Sequence, residues 1–134
     1  MTKLSGEYLQ LIERARAVSV NAYAPYSKFA VGAAVLALSG QVYVGVNCEN
    51  VSFGGTICAE RAALTAAVTA GERKFIAIAI ASSPSVTPCG ICRQMLSEFG
   101  DMDVLMGSDG DDVKVTSLSA LLPDAFLDFS RGHG

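Results

Sequence analysis

The chain has 134 residues, 51% of them hydrophobic and 17% charged, with ten Lys and Arg against thirteen Asp and Glu, a net charge of −3 and a pI near 5.0. That length suits a single domain over residues 1–134 that folds without disulfide staples, and the composition excludes a disordered chain, which is polar and charge-rich. The charged share lies below the usual ~25%, so other subunits are expected to cover part of the surface; the densest basic piece, Arg73-Lys74, is too small for a polynucleotide partner, and the apolar runs at 31–38 and 75–81 fall far short of the roughly 20 residues that cross a membrane.

Met1 and Thr2 are expected to be loose, and the first ten residues carry one Lys and no apolar signal core, so a cytoplasmic chain is expected. Leu4, Tyr8, Leu11, Ile12, Ala15, Val18 and Ala22 recur at steps of three and four, which predicts an amphipathic helix over residues 5–21, ended by Pro25. Residues 24–29 read as a loop. Residues 31–38 read as a buried strand, Ser39-Gly40 as a tight turn and residues 41–47 as the returning strand of a hairpin. A loop over 49–55 holds Gly54-Gly55. An alanine-rich helix over 58–70 is stopped by Gly71, and an apolar strand follows over 75–82. After a loop with two prolines, a helix over 90–99 is stopped by Gly100. Strands at 102–106 and 113–115 flank a turn-rich loop, and a short helix over 117–122 is capped by Ser117 and halted by Pro123. The order αββαβαββα predicts an α/β domain with a central sheet buried on both faces. His133, the only histidine, lies in a Gly-flanked tail, where it is expected to be disordered, so histidine catalysis is not expected.

Four cysteines, Cys48, Cys58, Cys89 and Cys92, point to metal binding or catalysis rather than disulfides in a reducing compartment. Cys89-Gly90-Ile91-Cys92 opens a helix, and its spacing lets both sulfurs reach one ion. Cys58 opens the preceding helix and is the expected third ligand. A βαβ-type crossover brings both helix N-termini to one edge of the sheet, where the helix dipoles favour thiolates. Three thiolates with one open tetrahedral position are the pattern of a catalytic zinc. Cys48 is set aside as a fourth ligand. Neighbours in an extended chain point to opposite faces, and the polar pair Asn47 and Glu49 is the better choice for a polar cavity, which turns Cys48 into packing. Glu60 is two residues from Cys58 and is the candidate general acid–base; that pairing requires Cys58 to sit at the irregular end of its helix, because residues two apart on a regular helix do not share a face.

Cys58-Ala59-Glu60 followed by Pro88-Cys89-Gly90-Ile91-Cys92 resembles the zinc deaminase signature. Residues 24–29, 45–50, 58–61, 92–94 and 121–126 resemble blocks of the short, homotetrameric cytidine deaminases, in that family's order and over nearly the whole chain. The resemblance implies a three-layer α-β-α fold with a central mixed five-stranded sheet. It implies a zinc ion on Cys58, Cys89 and Cys92, proton transfer by Glu60, and ribose binding by Asn47 and Glu49, whose amide and carboxylate suit a diol. It further implies that Phe29 stacks on the pyrimidine and that the Ala59 backbone binds the base. Arg61 would sit near the thiolates and offset their surplus negative charge, Gln94 would do so as a neutral donor, and Phe126 would close the site of a neighbouring subunit. Phe53 stands where the family usually has Tyr, removing a hydroxyl at the subunit contact and the sugar end of the site. Cys48 stands where the family mostly has an aliphatic residue.

The implied activity is zinc-dependent hydrolytic deamination of free cytidine and 2′-deoxycytidine in pyrimidine salvage, by a cytoplasmic homotetramer with shared sites. The competing readings are a deaminase of another aminated heterocycle such as blasticidin S, and a non-catalytic zinc-binding module. A nucleic-acid editor is disfavoured by the acidic charge.

Overall fold

The structure is a computed structural model that describes residues 4–110 and 112–127; the expectations for Met1, Thr2 and His133 lie outside these residues. Helix α1 (Gly6–Val18) begins at Ser5, whose side chain accepts the Tyr8 amide. It stops earlier than its apolar periodicity suggests and tightens into a 3₁₀ turn, Ser19–Asn21, with the Ser19 hydroxyl bonded back to the Arg16 carbonyl at 2.7 Å.

Strands β1 (Gly32–Ala37) and β2 (Val42–Val46) form the expected hairpin. A 3₁₀ turn (Phe53–Gly55) leads into α2 (Ala59–Thr69). Gly71, at φ 102°, supplies the left-handed residue that lets the chain leave α2. Strand β3 (Phe75–Ala81), helix α3 (Gly90–Ser97) and strand β4 (Asp103–Gly107) follow. Strand β5 (Val113–Ser117) runs two residues further than its apolar part, because Ser117 pairs with Asp103 at the start of β4. Helix α4 (Leu118–Leu121) completes the order.

The five strands lie in the order β2-β1-β3-β4-β5, with β3 and β4 parallel and the other pairs antiparallel. The alternation of side chains along the strands separates two cores. Ala34, Leu36, Ala77, Ala79 and Leu105 face α1. Ala33, Val35, Ile78, Ile80 and Val104 face α2, α3 and α4. The result is the expected α/β domain with helices on both faces. No helix among the described residues is long and apolar enough to cross a membrane.

Two features of this topology position the site. Antiparallel pairing of Gly32 with Ala81 and of Gly32 with Val46 places the start of β1 and the ends of β2 and β3 at one end of the sheet. The chains leaving β2 and β3 there lead to the N-termini of α2 and α3. Gly45 then lets α2 lie against β2, since a Cβ at that position would stand 2.4 Å from the Ala63 amide nitrogen.

Candidate functional site

Cys58 and Cys89 occupy equivalent places, each the residue immediately before the first helical residue, with extended backbone (φ −76°, ψ 153° and φ −68°, ψ 169°). Cys92 lies on the first turn of α3 and is buried. The Cys58 and Cys89 sulfurs are 3.9 Å apart, those of Cys89 and Cys92 3.6 Å apart, and all three lie within 4.8 Å of one another. Tetrahedral Zn–S bonds of about 2.3 Å set neighbouring sulfurs about 3.8 Å apart, so the three residues fit one zinc ion.

Electrostatics agree with that fit. Without a cation Cys58 is pushed down to about 5, chiefly by hydrogen bonding from Cys92, with Arg61 and Cys89 adding and burial opposing. Cys92 moves the other way and holds its proton, first because it donates to Cys58 and then because it is buried. Three thiolates together therefore call for a divalent cation. The Arg61 guanidinium lies on the rim, donating to the Thr56 carbonyl at 2.9 Å and toward the Cys58 sulfur at 3.7 Å. Its Nε is buried without a partner among the described residues, a donor left available beside the sulfurs.

Glu60 is 5% exposed and stands in the first turn of α2. Because Cys58 is extended rather than helical, the two-residue spacing does not force the two side chains apart. Burial pushes the Glu60 carboxyl up to about 7, the nearby Cys58 charge adds to this, and hydrogen bonding to its own backbone and to Cys92 opposes it. The acid thus sits beside the sulfurs with its proton finely held near neutrality. Ala59, the first residue of α2, is buried, and its amide belongs to the helical turn whose N–H groups lack intrahelical acceptors.

Asn47 and Glu49 organise the loop that carries Phe29. Asn47 is 8% exposed; its Oδ1 accepts the Val31 amide at 2.9 Å and its Nδ2 donates to the Phe29 carbonyl at 2.8 Å. The Glu49 carboxylate accepts the Tyr26 and Ser27 amides, each at 3.1 Å, and the Ser27 hydroxyl. The Ser27 hydroxyl and amide hold the Glu49 carboxyl below its ordinary value. Phe29 is half-buried against the α2–α3 core.

The structure adds detail at Cys48, Gln94, Phe53 and Phe126. Cys48 is no ligand of the trio, but neither is it packed: it is exposed, because Asn47 takes the inward face and the alternation turns Cys48 outward, where its backbone pairs with Ile57. Gln94 directs its amide nitrogen to the Phe126 carbonyl at 2.7 Å rather than to a sulfur. Phe53 is 69% exposed, with its ring edge-on to Tyr26 at 5.4 Å; Phe126 is tied to α3 through its carbonyl, which accepts from Gln94. Sequence reasoning assigned nothing to Ser27 or Arg93, although both lie inside the blocks that carry the resemblance. Clefts of about 320 and 450 Å³ flank α4 and α1 and contain none of the three cysteines.

Comparison with known proteins agrees with this geometry. A family model described as the cytidine and deoxycytidylate deaminase zinc-binding region matches residues 6–108. A cytidine deaminase of Sporosarcina psychrophila is 44% identical over 121 residues, covering 87% of this chain and 89% of that protein. One of Halalkalibacterium halodurans is 44% identical over 120 residues, covering 87% and 91%. Among solved structures, cytidine deaminase from Burkholderia pseudomallei is similar at a TM-score of 0.84 and 45% identity, covering 94% of this chain and 100% of that one.

Proposed function

We propose, from the premise that this chain belongs to the cytidine and deoxycytidylate deaminase family, that it hydrolyses free cytidine and 2′-deoxycytidine to uridine and deoxyuridine with release of ammonia. The observation that carries this reading is the convergence of Cys58, Cys89 and Cys92 at two helix N-termini with the buried Glu60 beside them.

Cys58, Cys89 and Cys92 would hold the zinc, which when bound supplies Lewis-acid activation of water. Glu60 takes the proton released as water adds at C4 of the base. It hands that proton to N3, then takes the proton of the new C4 hydroxyl and delivers it to the amino group, so that C4=O forms as the C4–N bond breaks and water and cytidine yield uridine and ammonia. Arg61, with an unpartnered Nε beside the sulfurs, offsets the surplus charge of three thiolates.

Asn47 and Glu49 are suited to the sugar. Their remaining lone pairs and donors face the ribose hydroxyls while their other bonds fix the 26–31 loop and hence the Phe29 ring that stacks on the base. The Ala59 amide supplies a donor to the base at the α2 N-terminus. Phe53 and Phe126, both largely exposed here, are assigned to the sugar end and to closure of a neighbouring site. These assignments imply a homotetramer with shared sites, working in pyrimidine salvage in the cytoplasm; exposed Tyr23, Tyr26, Phe53 and Ile57, grouped around Cys48, support a face covered by another subunit.

The test is ultraviolet assay of cytidine alongside metal analysis for the wild type and Glu60→Gln. The expected result is one zinc per chain in both and a loss of at least about 10²–10⁴-fold in turnover for the variant. Undiminished turnover would remove Glu60 from the reaction. Zinc without cytidine turnover in the wild type would leave a structural zinc module, and turnover of blasticidin S alone would move the substrate class.

A further inference from the structure

Arg93 has no part in the roles above, yet its side chain joins the chain just before α3 to the end of α4. Its Nε donates to the Pro88 carbonyl at 2.7 Å and its Nη1 donates to the Leu121 carbonyl at 2.8 Å. Neither acceptor is used in a helical ladder. Pro88 is buried and directly precedes Cys89, and its carbonyl lies outside the α3 ladder, whose first bond runs from the Arg93 amide to the Cys89 carbonyl at 2.9 Å. Leu121 is the last residue of α4, so its carbonyl has no acceptor role within that helix. The neighbouring Gln94 continues the same clasp to Phe126.

We propose that Arg93 is a positioning residue for the metal centre. By fixing the Pro88 carbonyl it sets the backbone torsions at Cys89, and these aim the Cys89 sulfur between those of Cys58 and Cys92. The sulfur of Cys89 is the one most in need of this. Cys92 is locked inside the first helical turn and Cys58 is touched by Arg61, whereas Cys89 is exposed and its side chain makes no helix-capping bond. A guanidinium serves because its rigid fork reaches two carbonyls in different directions; a lysine ammonium is a single point on a flexible stem. The inference rests on the reading of the three cysteines as the zinc site. Groups of this kind that orient a metal ligand typically govern 10–100-fold in affinity.

The experiment compares wild type, Arg93→Met and Arg93→Lys as full-length zinc proteins. Zinc release to the chromogenic chelator 4-(2-pyridylazo)resorcinol is followed in time, and the thiolate charge-transfer and d–d bands are recorded after cobalt substitution. Tyr8→Phe, which loosens α1 against β4 on the opposite face, serves as the stability control. Arg93→Met is expected to release zinc about 10–100-fold faster with altered cobalt bands, Arg93→Lys to recover only part of the difference, and Tyr8→Phe to match the wild type. Should Arg93→Met not fold, Arg93→Lys carries the same comparison. Wild-type release rates and cobalt bands in the Arg93 variants would overturn the proposal, as would release that rises equally in Tyr8→Phe. A wild-type chain that takes up no zinc would instead overturn the reading of the site itself.

Discussion

Asn47 holds the backbone on both sides of Ala30, accepting from Val31 and donating to Phe29. Removing its amide leaves a buried N–H and C=O without partners, at a cost of about 1–3 kcal/mol. Asn47→Ala is therefore expected to lower stability by that amount in urea titration and to raise KM for cytidine by more than it lowers kcat, since it frees the Phe29 loop and leaves Glu60 untouched. The inward placement of Asn47 was legible from strand alternation. Its backbone partners were not, because alternation says which face a side chain takes and nothing about which loop folds over that face. The same limit explains Cys48: alternation turns it away from the three other cysteines, and in the single chain that direction leads to the surface rather than into the core. The convergence of Cys58, Cys89 and Cys92 with Glu60 was easier to read, since metal chemistry demands few residue types at tight spacing, and two helix starts were visible from the patterns around them. Gln94 illustrates the opposite case, a polar residue beside a ligand whose partner is fixed by the course of the C-terminal segment.

Among the elements, the two features that build the site are the β3-α3-β4 unit and the seating of α2 on β2 at Gly45. Apolar runs and Gly stops identified both helices and all five strands to within a few residues. The largest differences came at ends where side chains, not periodicity, decide: the Ser19 hydroxyl that tightens the end of α1, and the pairing that carries β5 on to Ser117. On the opposite face, α1 is tied to β4 by the Tyr8 hydroxyl donating to Asp103 Oδ2 at 2.7 Å. Burial, then the hydrogen bond and charge of Asp103, push the Tyr8 phenol up from 10.0 to about 12. A folded-state value above the unfolded one means that the folded chain binds more protons in that interval. The stabilisation from Tyr8 is thus fully present below pH 10 and is lost as the pH rises toward 12. Urea midpoints of the wild type are expected to fall more steeply across this window than those of Tyr8→Phe; parallel slopes would show that the Tyr8–Asp103 bond does not couple α1 to the sheet.

For the molecule as a whole, low charge and exposed apolar surface carry the same message. Val20, Val51 and Phe53 are 83%, 80% and 69% exposed, all three in the short segments around the start of β1 and the approach to α2, the side chains that a subunit contact there would cover. Sedimentation equilibrium is expected to give a tetramer whose dissociation abolishes turnover, because Phe126 is assigned to a neighbour's site; a fully active monomer would end that assignment. Composition could suggest that apolar surface is exposed but could not locate it, since exposure is settled only when the strands are ordered and the loops around Cys48 are folded. The account as a whole depends on the coordination of one ion. X-ray absorption at the zinc edge tests it most directly: three sulfur scatterers at about 2.3 Å with one oxygen or nitrogen neighbour are predicted, and a shell of four sulfurs, or fewer than three, would contradict it.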